Sequence, residues 1–256
     1  MNRSAIVWTG RAVLAAVCVA LWQLASNVYG NLAIASLGPI LARLAQIALD
    51  GSLVRNLAIT GAEAALGMLY GAAIGIALPV LLAGKPRLET ALDPFLAAAM
   101  GVPKLALAPL IVLWFGTGFT SKVVIVAAVA AFLIFFNVRS GIRAVEPRFI
   151  EMARIAGASR GTLLREVYIP SVAPFFLAGL QIAAPRAVSA AVVGEFLAAN
   201  KGIGSYIRDA MSQADTVGIF AGVIVVSLLV VCINLVVERS QQRSTAYRDS
   251  GSVSGF

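Results

Sequence analysis

Histidine is absent from the 256 residues of this chain. Its absence excludes Ser-His-Asp triads, imidazole metal ligands and histidine proton relays. The two cysteines, Cys18 and Cys232, lie far apart inside apolar runs, which argues against a disulfide framework and a cysteine metal site. Charged residues are scarce as well, at 12% against the roughly 25% of a soluble domain. These absences point away from a soluble enzyme.

Long apolar runs are what the chain has in excess. Hydrophobic residues make up 60% of it, and the mean hydropathy is +0.91. Six runs approach the roughly 20 residues that cross a bilayer as a helix. They cover about 12–29, 57–83, 94–115, 122–138, 172–197 and 217–237. The sequence therefore predicts an all-α membrane protein with six transmembrane helices.

Local features refine this prediction. Pro103-Lys104 interrupts the third run and Pro185-Arg186 the fifth, so kinks are expected there. Residues 39–49 have weak helical periodicity and are predicted to form an interfacial helix. Glycines at four-residue spacing favour close helix packing within the subunit: Gly67, Gly71 and Gly75. Arg3 and Arg11 before the first run would also fit a secretory signal, but no small-residue cleavage pattern follows it.

Lysine and arginine are distributed unevenly between the runs. Of the 20, Lys104 and Arg186 lie well inside runs, and a cytoplasmic N-terminus places 13 of the other 18 on the cytoplasmic side and five outside, with Lys122 counted at the outer end of the fourth run. The positive-inside rule therefore predicts that both termini are cytoplasmic. This topology gives a cytoplasmic N-terminus at 1–11, a six-helix transmembrane domain at 12–238 with a long loop at 139–171, and a flexible cytoplasmic tail at 239–256. It also explains the net charge of +8 without nucleic acid.

The long loop contains an arginine-rich segment, EMARIAGASRGTLLREVYIP, at residues 151–170. Pro147 suits the first turn of a helix, and Gly157 is placed to cap that helix in a left-handed conformation. Ser159 can cap a second short helix, which Pro170 is expected to end. Apolar residues of the first helix share one face: Phe149, Met152, Ala153 and Ala156. This elbow, residues 147–170, could anchor on anionic lipid or dock a partner, and the residues alone leave both open.

The elbow resembles the cytoplasmic EAA signature of permease subunits in binding-protein-dependent ABC importers. That pattern is Glu-Ala-Ala, three residues, Gly, nine residues and Ile-x-Leu-Pro; here Met152 replaces the first Ala and the spacing is kept. VPKLALAPLIVLWFGTG at 102–118 and GEFLAANKGIGSYI at 194–207 are similar to permeases of the nitrate, sulfonate, taurine and bicarbonate group. The resemblance assigns ATPase coupling to Glu151, Ala153, Gly157, Ala158, Val167, Ile169 and Pro170.

The resemblance implies a type I ABC importer permease of the bacterial inner membrane. Its implied partners are a second permease, most simply an identical copy, two ATP-binding-cassette ATPase subunits, an extracytoplasmic solute-binding protein and membrane lipid. ATP and Mg²⁺ are expected on the ATPase, because no G-x-x-x-x-G-K-[ST] loop occurs here and Gly84-Lys85 is followed by Pro86. No catalytic residue, metal or cofactor is expected in this chain. The solute is expected to be small and to be an anion such as a sulfonate, nitrate or carboxylate.

Polar groups inside apolar runs are costly and therefore candidates for the translocation pathway. They are Lys104, Asn137, Arg186, Glu195 and Glu63. Lys104 and Arg186 each follow a proline, and two cations would suit an anionic solute. The alternatives are structural pairing, of Arg186 with Glu195 and of Lys104 with Glu63, or snorkelling to the interface. Glu195 fits a structural or gating role better than solute binding.

Two departures from the family pattern leave the solute open. Glu63 within TGAEAAL, and Met100-Gly101 before the third-run proline, both stand where many relatives have arginine.

Two other classes of membrane protein make different demands on the sequence. An ion-gradient-driven secondary transporter would need an inverted repeat, which the sequence does not display. A membrane enzyme without histidine would need a carboxylate pair or a Ser-Lys dyad, but Glu63 and Glu195 lie on distant runs and no serine adjoins Lys104.

Overall fold

The computed structural model describes residues 3–83 and 85–251, and every regular element in those residues is helical. The elements are α1 Arg3–Tyr29, α2 Leu37–Leu49, α3 Ser52–Leu82, α4 Pro86–Gly101, a 3₁₀ turn Lys104–Leu107, α5 Ala108–Phe115, α6 Phe119–Arg143, α7 Pro147–Ile155, α8 Arg160–Thr162, a π-helical turn Leu163–Tyr168, α9 Ile169–Ala198, α10 Ile203–Ser212 and α11 Thr216–Gly251. Five helices in the described residues are long and apolar enough to span a membrane, and the α4–α5 pair can supply a sixth. The predicted all-α, six-span architecture is confirmed.

The centre of the bundle is α6, which packs between α3 and α9. A Cβ on Gly71 would lie 2.7 Å from the Cβ of Ala130, and one on Gly75 would lie 2.9 Å from the Cβ of Ile134. Glycine therefore lets α3 approach α6 more closely than any side chain would allow. The expectation that these glycines serve packing within the subunit is confirmed.

The third apolar run is bent by 81° between α4 and the segment Lys104–Phe115. Pro103 lies in the break, where its missing N–H and its restriction of the preceding residue end α4. Lys104 Nζ donates to the carbonyl oxygens of Ala99 and Met100 at 2.8 and 2.9 Å, which caps the end of α4. The expected kink at this proline is confirmed.

At Pro185 the fifth run is not broken, because α9 continues through it as one helix; a kink within α9 stays a prediction. Buried small residues on both sides, among them Ala183, Ala184 and Ala187, hold the helix against its neighbours. Tertiary packing of this kind lets a membrane helix tolerate a proline.

Pro170 does not end a helix, which corrects an expectation from the sequence. The chain passes from α8 through the π-helical turn directly into α9, with Pro170 in its first turn. A wide π turn changes the hydrogen-bond register, so a residue without an N–H is accommodated there.

The two ends of the bundle differ. One end carries the elbow, which joins α6 to α9; the other carries α2, α10 and the start of α11. There Arg43 Nη1 lies 2.6 Å from Asp215 Oδ2, and Ile47, Ile203 and Val225 form a small buried cluster. The predicted helix at 39–49 is confirmed as α2.

The predicted terminal segments are helical where they are described. Helix α1 begins at Arg3, and α11 continues to Gly251. The mobility of the tail at 239–256 stays a prediction, and residues 252–256 lie outside the described residues.

Candidate functional site

The elbow turns at Gly157, whose φ is +80°. Gly157 N donates to Arg154 O and Ala158 N donates to Ala153 O, both at 2.9 Å. These bonds satisfy the last carbonyls of α7, and glycine adopts the left-handed conformation with little strain. The predicted glycine cap is confirmed.

The second half of the elbow begins at Ser159. Ser159 Oγ accepts from Thr162 N at 3.1 Å, and its carbonyl accepts from Leu163 N at 2.9 Å. Both bonds satisfy amides of the first turn, so the predicted N-cap is confirmed.

The elbow exposes apolar side chains on α7. Phe149 and Met152 are exposed, and Ile155 is 88% exposed. Ile155 was not among the predicted face residues, because its position falls beside the stripe rather than on it.

The residues assigned to ATPase coupling differ in exposure. Glu151, Ile169 and Pro170 are exposed, whereas Ala153, Ala158 and Val167 are half-buried. An exposed apolar patch bordered by arginines is typical of a surface that meets a partner.

Three of the five predicted pathway residues line one cavity of about 700 Å³. Lys104, Asn137 and Arg186 come from the 3₁₀ turn, α6 and α9, and Phe132 and Phe136 complete part of the wall. Lys104 Nζ lies 4.4 Å from the centre of the Phe132 ring, a cation–π contact. The described residues that line this cavity include two cations and no carboxylate.

Glu63 and Glu195 lie elsewhere, in a buried cluster near α10. The alternative pairings of Lys104 with Glu63 and of Arg186 with Glu195 are both wrong. Glu195 is 0% exposed; its Oε1 accepts from Thr60 Oγ1 at 2.7 Å and its Oε2 from Gly204 N at 2.6 Å. A carboxylate against the first amides of α10 is a favourable arrangement, because those amides have no partner inside the helix.

Helix α3 supplies the rest of this attachment. Thr60 Oγ1 accepts from Ile203 N at 3.0 Å, and Asn56 Oδ1 accepts from Gly202 N at 3.2 Å. Gly202 has a φ of +102° and a Cβ there would collide with the Glu195 carboxyl. We call the group formed by Asn56, Thr60, Glu195 and the backbone of residues 202–204 the latch. It joins α3, α9 and α10 through buried hydrogen bonds.

Lys122 supports the latch and was not predicted as a site residue. It is 0% exposed, and its Nζ donates to Thr117 O and Ala198 O at 2.6 Å each. Glu63 is 2% exposed, lies near Glu195 and Lys122, and its Oε2 has no hydrogen-bond partner among the described residues. A lysine at the start of an apolar run normally suggests a snorkelling side chain, so nothing in the sequence marked Lys122 as buried.

We looked for side chains that could together bind a metal ion in the described part of the chain. No group of three or more His, Cys, Asp and Glu side chains is gathered there. The chemistry of these regions is hydrogen bonding, charge and apolar contact.

Residues 67–245 match the family described as "Binding-protein-dependent transport system inner membrane component". The chain belongs to this family. It is thus a non-catalytic permease subunit of an ABC importer in the inner membrane, and the family implies an ATPase, a solute-binding protein and a second permease as partners. The EAA resemblance in the elbow led to the same family.

Curated relatives cover most of this permease. It is 35% identical over 82% of its length to the formylaminopyrimidine transport permease protein ThiX of Halalkalibacterium halodurans, covering 84% of that protein. It is 29% identical over 78% of its length to the taurine transport system permease protein TauC of Escherichia coli, covering 72% of that protein.

A solved structure shares the fold. The permease covers 95% of a chain from inward-facing conformations of the MetNI methionine ABC transporter, with a TM-score of 0.65 and 21% identity over 75% of its own length.

Proposed function

We propose that this permease forms the membrane path for a small anionic solute and that its elbow is the docking element of the ATPase. The assembly would contain two ATPase subunits and two copies of this chain, with the solute-binding protein at the α10 end. The observation that carries the docking proposal is the elbow itself: an exposed apolar face on α7, held at a fixed angle by the turn at Gly157.

Helix α9 offers a mechanical link between the two ends. It starts at the elbow and contains 30 residues, so it is about 45 Å long. Glu195, near its far end, holds α10 through the latch. Movement of the elbow when the ATPase pair closes would therefore reach the latch through one helix, which is a rigid-body form of alternating access.

The orientation follows from charge. An elbow in the cytoplasm places both termini there and α10 outside, in agreement with the excess of lysine and arginine on that side. An ATPase that uses cytoplasmic ATP would then meet the elbow directly.

The solute class is proposed from the cavity. Lys104 and Arg186 attract an anion, whereas Phe132 and Phe136 add apolar aromatic surface that suits a hydrocarbon or planar part of it. The relatives are named for formylaminopyrimidine and taurine, which differ chemically, so membership of the family does not choose the solute.

Gly157→Arg tests the docking proposal. The φ of +80° strains any residue with a Cβ, and a long cation would project from the turn. We expect the wild-type permease, purified in mild detergent from its host, to co-purify with an ATPase subunit in about equimolar amount. The variant should retain at most about 10% of that ATPase.

Gly157→Asn is the matched control, because asparagine tolerates the left-handed conformation better than other residues. It should retain most of the ATPase. If no ATPase accompanies the wild type, or if Gly157→Arg retains it, the docking proposal is wrong, and solute uptake should then be tested for dependence on an ion gradient.

Arg186→Gln tests the anionic path. Arg186 is exposed to the cavity, and the described residues offer it no hydrogen bond or ion pair that the substitution would break. We expect ATP-driven uptake of a transported anion into proteoliposomes to fall about tenfold, which corresponds to roughly 1.4 kcal/mol of lost interaction. Nitrate and butanesulfonate, which carry a net negative charge at neutral pH, are suitable first probes.

Ser189→Ala is the control for Arg186→Gln, since Ser189 lines the same cavity without a charge. Its uptake should stay within about twofold of the wild type. Equal losses in the two variants, or uptake of neutral but not anionic probes by the wild type, would contradict the anionic path.

A further inference from the structure

A second cavity, of about 600 Å³, lies at the elbow end of the bundle. It is an open cleft bordered by the ends of α3 and α6, by the start of α9 and by the elbow. Most of its lining is apolar, including Val80, Ile142, Leu164, Val172 and Phe176. We propose that this cavity binds one anionic phospholipid, with an acyl chain between the helices and the phosphate against Arg154.

The polar part of the lining is small and lies on the elbow. Arg154 comes from α7 and Tyr168 from the end of the π-helical turn, while the other lining side chains carry no polar group. An apolar cavity with a cation and a phenol on its elbow side matches an amphiphile that has an anionic head. Tyrosine and arginine are the side chains that commonly meet lipid at the level of the headgroups.

Arg154 is available for a ligand. Arg139 and Arg143 pair with Glu89 and Asp93, and Arg148 pairs with Glu146. Arg154 makes no ion pair or side-chain hydrogen bond with the residues that the structure describes. A cation left without a carboxylate beside an apolar cavity is complementary in charge to a lipid phosphate.

The position of the cavity favours a lipid over a soluble ligand. It lies where membrane helices α6 and α9 end and the polar elbow begins. Residues 147–170 contain four arginines and two glutamates, a formal charge of +2, and such a segment is attracted to anionic lipid. Apolar chains and phosphates are both present at this depth of a membrane.

A bound chain would support the connection between elbow and membrane helices. Leu163, Leu164 and Tyr168 of the π-helical turn face the cavity from one side, and Ile76 and Val80 of α3 face it from the other. A lipid between them would replace empty space with contacts and hold the turn at a fixed distance from α3. The consequence for ATP hydrolysis rests on the proposed docking of the ATPase at the elbow, whereas the binding of lipid does not.

The test compares two variants that remove different halves of the site. Arg154→Gln removes the charge, and Ala173→Phe places a ring where the cavity lining is small. The permease–ATPase complex is reconstituted in nanodiscs of phosphatidylcholine with or without phosphatidylglycerol. Lipid that remains bound after detergent extraction is then identified by native mass spectrometry. Arg148→Gln is the control, because Arg148 belongs to the same helix but does not line the cavity.

We expect the wild type and Arg148→Gln to retain phosphatidylglycerol at least about fivefold over phosphatidylcholine, a preference of roughly 1 kcal/mol. Arg154→Gln should lose the preference while keeping some lipid, and Ala173→Phe should retain less of both lipids. Stimulation of ATP hydrolysis by phosphatidylglycerol should fall in both variants.

Three results would overturn the proposal. They are equal retention of the two lipids by the wild type, an unchanged preference in Arg154→Gln, and loss of the ATPase from Arg154→Gln to the same extent as from Gly157→Arg. The last result would make Arg154 a contact of the protein partner. If the ATPase fails to bind the wild type but the lipid preference persists, the docking proposal fails and the lipid site stands.

Discussion

Glu195→Leu is expected to release α10 and to make ATP hydrolysis independent of the solute-binding protein. The substitution keeps an apolar body of similar size but leaves the Thr60 hydroxyl and the Gly204 amide without their buried acceptor. Each buried group left unpaired costs roughly 1–3 kcal/mol, so the loss of both bonds should weaken the latch by about 2–6 kcal/mol. The outward end would then open without its normal signal.

Two measurements check this expectation. The first is the temperature at which half of the purified permease stops being monodisperse in detergent, which should fall by several degrees. The second is the ATPase rate of the reconstituted complex without the binding protein, which should rise at least about tenfold if the latch closes the outward end by 1.4 kcal/mol or more.

Thr60 provides the matched pair of controls. Thr60→Ser keeps the oxygen that bonds Glu195 and accepts from Ile203 N, whereas Thr60→Val keeps the shape and removes that oxygen. Thr60→Ser should behave as the wild type and Thr60→Val as a milder form of Glu195→Leu. A Glu195→Leu protein with unchanged stability and an unchanged basal ATPase rate would show that the latch does not hold α10 in the membrane.

Gly71→Leu is expected to prevent α3 from packing on α6, with near-complete loss of monodisperse permease. Even a Cβ at this position would lie 2.7 Å from Ala130 Cβ and 2.9 Å from Ala127 O. The backbone on the facing helix cannot move aside as a flexible side chain can, so the helices must separate. Overpacking of a membrane interface costs at least about 3 kcal/mol here, since α6 is fixed by α9 on its other side.

Gly61→Leu is the control on the same helix. Apart from the neighbouring backbone of α3 itself, no atom lies within 4 Å of the Cβ position of Gly61, so leucine is accommodated there. Size-exclusion chromatography after membrane extraction should show a normal peak for Gly61→Leu and aggregate or no protein for Gly71→Leu. A normal peak for both variants would contradict the close contact between α3 and α6.

The sequence predicted the candidate site in part. It located the elbow, its glycine cap and its serine cap, because each depends on residues only a few positions apart. It also identified Lys104, Asn137 and Arg186 among five candidates for the pathway, since polar residues in apolar runs are rare enough to be noticed. It could not separate these three from Glu63 and Glu195, because cost of burial alone does not say which cavity or cluster a side chain enters.

The two prolines show the same limit within the fold. Pro103 breaks its helix and Pro185 does not, although both lie inside apolar runs. The difference comes from the surroundings, because small buried residues on α9 pack closely against neighbouring helices around Pro185. Sequence alone gives the missing N–H in both cases and the supporting contacts in neither.

The environment of each segment follows from the residues alone. Hydrophobic length places the helices in a membrane, and local backbone chemistry shapes the elbow. Which polar groups meet depends on the packing of the helices: Glu195 bonds Thr60, 135 positions away, and Lys122 bonds the carbonyl of Ala198, 76 positions away. Buried hydrogen bonds need partners at a few ångströms, and that distance is set by the packing of α3, α6 and α9 rather than by any spacing along the chain.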